Sequence, residues 1–223
     1  MNTLLLAGER EISIPIGTKR LPGTLAWPAH PRGLVVFAHG SGSSRLSPRN
    51  VMVASQLRTA GFATLLFDLL TPHEAADRTK VFDIQLLGER LTLATGWLRV
   101  QPDVAGLPVG YFGASTGAAA ALVAAADPAQ GIKAVVSRGG RPDLASEALA
   151  LVRAPTLLIV GGLDDVVISL NQAALARMHC VKRLVIIPGA SHLFEEGDTL
   201  QQAAEQAAQW FAMHLAPSEA VRL

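Results

Sequence analysis

The chain has one cysteine, Cys180, in 223 residues. No internal disulfide can form, and a reducing compartment is expected. Charge is scarce as well: 17% of the residues, with 19 basic side chains against 18 acidic ones and a formal net charge of +1. Nothing in that balance gathers into a basic cluster, so neither nucleic acid nor a membrane surface is expected as a partner. Long apolar runs are missing too. Leu4 to Ala7 is too short for the core of a signal peptide, and no positive residue precedes it. The run from Ala118 to Ala126 is too short to cross a bilayer. No set of His, Cys and carboxylate residues has the spacing of metal ligands. No Gly-Lys-Ser/Thr follows the glycine-rich loop near the N-terminus, which excludes a P-loop. The expectation is a cytoplasmic protein without metal or cofactor, either a monomer or a homodimer.

What is present is apolar: 50% of the residues, enough for a large core with two faces. Glu9 to Ile16 alternates polar and apolar, as a half-exposed strand does, and Leu21 to Trp27 returns as its hairpin partner. Leu34 to Ala38 reads as a strand buried on both faces. Ser47-Pro48 then opens a helix with Val51, Ala54 and Leu57 inward, which Gly61 ends. Ala63 to Leu69 is the next strand, and Thr71 to Lys80 a short polar connection. Apolar spacings of three and four from Ile84 to Leu98 mark a long helix. Further strands are expected at Val109 onward, Ile132 to Ser137, Pro155 to Val160 and Arg183 to Ile187. Helices follow at Ala118 to Ala126, Leu144 to Val152, Leu170 to Met178 and the segment carrying Leu200, Ala203, Ala207 and Phe211; the tail beyond Pro217 is expected to fray. Strands alternating with helices predict one α/β domain over residues 1–223, a mostly parallel, doubly wound sheet of about eight strands with helices on both faces.

The most informative stretch is Gly113-Ala114-Ser115-Thr116-Gly117, between a strand and a helix that begins at once. A serine on so tight a turn has its hydroxyl lifted clear of the sheet and flanked by helix amides, the setting of a nucleophile elbow. The plainer reading is an ordinary helix N-cap. In open α/β sheets, sites gather outside the carboxyl ends of the strands. Asp164 and Asp165 follow one such strand, and His192 follows the last. A serine hydroxyl needs an imidazole to take its proton, and the imidazole needs a carboxylate to orient it. Either aspartate can serve, and the other then merely turns the chain; His192 read plainly is a surface-loop histidine. The amides of Ser41 and Thr116 can form an oxyanion hole. Candidate substrate-binding residues at the same end are Arg45, Leu70, Arg138 and Phe194, although pairing with Asp143 or Glu147 is the plainer role for Arg138. His39 is expected to brace the oxyanion loop, and His30, His73, His179 and His214 to be solvent or packing residues.

These motifs, with His39-Gly40, Gly161-Gly162-Leu163-Asp164 and Gly189-Ala190-Ser191-His192, resemble an α/β-hydrolase. The small size, the leading hairpin and the lack of a long insertion are most similar to the dienelactone hydrolase-like group, over roughly Ile12 to Phe211. The resemblance implies an α/β-hydrolase fold without a large cap domain, and a Ser115-Asp164-His192 triad with Ser41 and Thr116 as oxyanion donors. Its Gly-x-x-Asp-x-x-Val pattern fits Gly161, Asp164 and Val167 and so selects Asp164. Dienelactone hydrolases proper use a cysteine where this chain has Ser115, which implies a serine hydrolase of small carboxylic esters. A thioesterase, acyltransferase or peptidase would use the same triad, and a non-catalytic binding protein would use the same fold.

Overall fold

The structure is a computed structural model describing residues 6–215, so the apolar start at Leu4 and the tail beyond Pro217 lie outside the described residues. Strands β1 (Gly8–Ile16) and β2 (Lys19–Trp27) form the expected hairpin. Then come β3 (Leu34–Ala38), α1 (Pro48–Thr59), β4 (Ala63–Phe67), α2 (Pro72–Ala75), α3 (Arg78–Val81) and α4 (Ile84–Leu98). The second half runs β5 (Val109–Ala114), α5 (Thr116–Ala126), β6 (Ala134–Arg138), α6 (Ala148–Leu151), β7 (Thr156–Gly161), α7 (Asp165–Arg177), β8 (Lys182–Ile187) and α8 (Thr199–His214). Together the strands make an 8-stranded sheet in the order β1-β2-β4-β3-β5-β6-β7-β8. The hairpin joins β4 antiparallel, and every pairing from β4 onward is parallel.

Alternation along the central strands decides which helices lie on which face. Leu34, Val36 and Ala38 of β3 turn toward the layer holding Leu91 and Leu98 of α4 and the alanines of α5. Val35 and Phe37 turn the other way, toward Val53 and Leu57 of α1 and Ala207 and Phe211 of α8. Small residues let the first layer pack close: a Cβ on Gly88 of α4 would already touch Val123 of α5. Because β3, β5, β6, β7 and β8 run parallel, their carboxyl ends line up on one edge. The loops of interest leave from there.

Four local expectations are corrected. Ala54 and Leu57 of α1 face inward as expected, but Val51 is 43% exposed, and Asn50 and Val53 complete the inward stripe in its place. The Thr71 to Lys80 connection contains two single-turn helices, the first closed by a capping box in which the Thr71 hydroxyl and the Glu74 carboxylate each accept from the other's backbone amide. No helix spans Leu144 to Val152; a 3-10 turn over Pro142–Ala145 and the short α6 are separated by Ser146, whose φ of +48° breaks the ladder. Helix α7 begins at Asp165, well before Leu170, because Asp164 caps it. Among the described residues no helix is long and apolar enough to cross a membrane.

Glu74 ties these layers together. Its buried carboxylate is paired with Lys19 of the hairpin and with Arg90 of α4, the latter at 3.0 Å. Burial alone would raise its pKa, but hydrogen bonds from Lys19 and Thr71 and the charge of Arg90 outweigh it and bring the group down from 4.5 to about 2. A carboxylate with a depressed pKa stabilises the fold fully above its unfolded value and loses that contribution as pH falls through the folded one. Thermal melts of the wild type should therefore fall between about pH 4.5 and about pH 2 with a component that Glu74→Gln lacks. At neutral pH Glu74→Gln should cost on the order of 3 kcal/mol, because it leaves Lys19 and Arg90 without their anion.

Candidate active site

Ser115 sits where β5 becomes α5, with φ 51° and ψ −125°. A non-glycine residue there is strained, and the surroundings hold it. Its amide donates to the Arg138 carbonyl at 3.3 Å, and its carbonyl accepts from the amides of Ala118 and Arg141, each at 3.1 Å. A Cβ on Gly113 would run into the backbone of Ala118, and one on Gly117 into the carbonyl oxygens of Ala38 and His39. Both glycines are therefore required by close approach. The Ser115 side chain makes no cap bond to α5, so its hydroxyl is not spent as an ordinary N-cap.

His192 and Asp164 come together from the loops after β8 and β7. His192 Nδ1 lies 2.7 Å from Asp164 Oδ2. A carboxylate can only accept, so the imidazole proton belongs on Nδ1 and Nε2 is left as a bare acceptor. The other oxygen, Asp164 Oδ1, accepts from the Val167 amide at 3.4 Å and caps α7. One carboxylate thus both starts a helix and orients the histidine. Gly161 permits this, because a Cβ there would strike the carbonyls of Ala190 and Ser191 in the neighbouring loop. Asp165, by contrast, is exposed on the first turn of α7. Ser115 and His192 line one cleft of about 260 Å³, with Gly40, Ser41, Arg138 and Leu193 among its walls.

The loop after β3 is held by His39. Its Nε2 accepts from the Leu69 amide at 3.1 Å, so Nδ1 carries the proton and donates to the Gly40 carbonyl at 3.0 Å. Burial pushes the His39 pKa below its ordinary value against the opposing pull of Gly40 and Asp68, which keeps the ring neutral. The next residue departs from simple expectation: the Ser41 amide donates to Thr116 Oγ1 at 2.9 Å. Thr116 is buried at the start of α5, where the first amides have no partner within the helix.

The four candidate substrate-binding residues separate. Leu70 lines a different hollow of about 360 Å³ with Pro72, Ala75, Val81 and Leu87. That hollow adjoins the cleft, sharing Gly40, Ser41 and Ser43 with it. The polar reading of Thr71 to Lys80 hid it, although Ala75 and Val81 were visible as its apolar wall. Arg45 is corrected: it is committed to Glu11 at 3.2 Å, Thr24 at 3.1 Å and Asp68, and braces the hairpin. Phe194 is corrected as well, being 2% exposed with its ring 5.9 Å from the Arg138 guanidinium, so it backs the cleft without facing it. Arg138 lines the cleft, and it pairs with neither Asp143, held by Arg141 at 2.7 Å, nor Glu147, held by Arg177 at 3.2 Å. Two buried asparagines escaped the sequence reading. Asn50 reaches toward Arg138, and Asn171 donates to the carbonyls of Gly140 and Val167, fixing the loop after β6 to α7.

The profile of the dienelactone hydrolase family matches residues 21–215. A dienelactone hydrolase from Anabaena variabilis, known from its crystal structure, is 55% identical and superposes with a TM-score of 0.91, over 94% of this chain and 99% of that one. A lidless α/β serine hydrolase from Xanthomonas campestris shares the fold at 21% identity with a TM-score of 0.77, over 97% and 99% of the two chains. A Mycobacterium tuberculosis protein provisionally named a phosphoribosyl transferase is 61% identical over 207 residues, which is 93% of this chain and 47% of that protein. The chain thus spans about half the length of these curated relatives.

A Cβ on Gly117 would meet backbone of both Ala38 and His39, which cannot move aside as a flexible side chain could. Gly117→Ala should shift the β3 loop or prevent soluble folding, at a cost of several kcal/mol, of the size seen for overpacking in a closed core. Ala118→Gly, one residue along in the same helix, should cost only about 1 kcal/mol. Soluble yield and chemical denaturation of the two variants side by side check this.

Proposed function

The chain belongs to the dienelactone hydrolase family, and from that premise we propose that it is a serine hydrolase cleaving small carboxylic esters through an acyl-enzyme. The observation that carries the reading is the 2.7 Å contact between His192 Nδ1 and Asp164 Oδ2 in the cleft that Ser115 also lines. Ser115 Oγ attacks the acyl carbon while His192 Nε2 takes its proton, and Asp164 stabilises the imidazolium that results. The amides of Thr116 and Ser41 receive the negative charge on the carbonyl oxygen. Collapse of the tetrahedral intermediate expels the alcohol, which takes its proton from His192. Water then enters, gives a proton to His192 and forms the second tetrahedral intermediate; the acid leaves as Ser115 is reprotonated. No metal or cofactor has a part in these steps.

The name of the mycobacterial relatives suggests a different reaction, transfer of a phosphoribosyl group. That name belongs to proteins of which this chain covers 47%, whereas Ser115, Asp164 and His192 all lie in this chain. The hydrolase reading is therefore the one taken for this chain. Thioester or amide substrates and a purely binding role remain its competitors, and a fluorophosphonate probe separates the last of them. The probe should label Ser115 in the wild type, as mapped by peptide mass, and should leave Ser115→Ala unlabelled.

On an activated ester, Ser115→Ala should fold normally and lose turnover by several orders of magnitude. Asp164→Asn should lose about 10⁴-fold, since an amide favours the wrong histidine tautomer, and the exposed Asp165→Asn should lose little. Near-wild-type rates for Ser115→Ala would remove the assignment, and a reversed aspartate pattern would move the acid by one residue.

The apolar hollow beside the cleft sets the acyl-chain preference. Each methylene that enters it is worth about 0.8 kcal/mol, and one that projects beyond its walls gains nothing. The wall is made of two single-turn helices, not a cap. kcat/KM on p-nitrophenyl esters should therefore rise over the short acyl chains that the hollow takes, from acetate to about butyrate, and then level off toward octanoate; a steady rise through octanoate would show a tunnel.

A further inference from the structure

Among the described residues, Arg138 is a buried cation without a counter-charge. It ends β6 beside the elbow, its backbone in register with Ala114 and its carbonyl bonded to the Ser115 amide. The residue is 7% exposed, and among the described residues its Nη1 has no hydrogen-bond partner. Its Nη2 donates only to Asn50 Oδ1, at a long 3.4 Å. Carboxylates nearby are taken: Asp143 by Arg141, Glu147 by Arg177 and Glu195 by Arg49. Burial, with the repulsion of Arg49, brings the guanidinium pKa down to about 10, which still leaves it charged at neutral pH. Taking a cation out of water without an anion is among the most costly things a fold can do, and a unit that keeps one needs a reason.

The reason lies in what shares the cleft. Arg138 lines it together with Arg49, Asn50 and Ser47, none of which borders the apolar hollow. Arg49 is already shared with Glu195 at 2.8 Å, so the unpaired cation on this side is Arg138, with the Asn50 side chain and the Ser47 hydroxyl lining the same space that Ser115 and His192 border. An unpaired guanidinium with an amide and a hydroxyl beside it can give hydrogen bonds from several directions, which suits a tetrahedral phosphate with three terminal oxygens better than a planar carboxylate with two. We propose that the Arg138 side of the cleft is an anion subsite, and that the ester hydrolysed at Ser115 carries a phosphate group there. This rests on the hydrolase reading for its turnover, but not for its binding. The short apolar part of the substrate then lies across the His39–Ser44 loop, in the hollow walled by Leu70 and Val81.

The test is direct binding of inorganic phosphate to the full chain, followed by calorimetry at constant ionic strength near neutral pH, with acetate as the carboxylate control. Phosphate should bind one to one, and acetate at least about tenfold more weakly. Arg138→Gln should weaken phosphate binding by roughly tenfold or more, and Arg138→Lys should restore part of it. Asn50→Asp sets a carboxylate against the unpaired guanidinium, in the first turn of α1 where a negative charge is favoured. It should raise the melting temperature and abolish phosphate binding, and where Arg138→Gln fails to fold it carries the test alone. No phosphate binding at tens of millimolar, or equal binding by wild type and variants, overturns the subsite. Acetate binding as tightly as phosphate overturns the phosphate assignment. Phosphate binding that depends on Arg138, in a chain that hydrolyses no ester and labels with no fluorophosphonate, leaves the subsite standing and removes the hydrolase reading alone.

Discussion

The site depends on a steric closure. The backbone of α5 starts so close to the end of β3 that position 117 has no room for a methyl group. That approach turns the chain sharply at Ser115, holds its φ at 51°, and sets the first turn of α5 against the His39–Ser44 loop. The hydroxyl, the helix amides and the loop amides converge because the backbone has no other way through. Around this knot the remaining parts are brought by strand ends: Asp164 from β7 and His192 from β8, brought close by the second close approach, at Gly161. Positioning here is mostly backbone packing, and side-chain hydrogen bonds refine it.

Much of this could be read from the residues. Continuous β-branched runs identified the parallel strands, and the glycine pair around Ser115 identified the turn, because each pattern has one dominant physical cause. The same holds for Asp164 and His192, which follow strands whose carboxyl ends must share an edge. Illegible were features that depend on two distant segments at once. Val51 and Val53 are equally apolar, and only the packing of α1 on α8 decides which turns inward. Thr71 and Glu74 spelled a capping box, yet the hollow it closes also needs Leu87 from α4. Ser146 at φ +48° leaves no mark in a sequence of good helix formers. That Arg138 has no carboxylate partner among the described residues could not be read, since Asp143 and Glu147 were both within reach along the chain and were drawn off by Arg141 and Arg177.

The two lobes on either side of the His39–Ser44 loop differ in character. One is walled by Leu70, Pro72, Ala75, Val81 and Leu87; the other presents arginine, asparagine and serine. Glu74 anchors the apolar wall to both the hairpin and α4 through Lys19 and Arg90. The hairpin, though at the far edge of the sheet, is thereby part of what shapes the lobe.

The hydrogen bond from the Ser41 amide to Thr116 Oγ1 carries a further meaning for a site in which that amide receives an oxyanion. In the resting enzyme the donor is occupied by a neutral hydroxyl, an acceptor about as good as an ester carbonyl. A ground-state substrate therefore gains little by displacing it. A developing alkoxide, as the proposed mechanism requires, is a far stronger acceptor and would win the exchange, and the threonine hydroxyl, once released, would have its own proton to offer. Under the proposed mechanism the threonine would act as a placeholder that charge alone can evict, and the amide would discriminate between the substrate and the species halfway through its reaction.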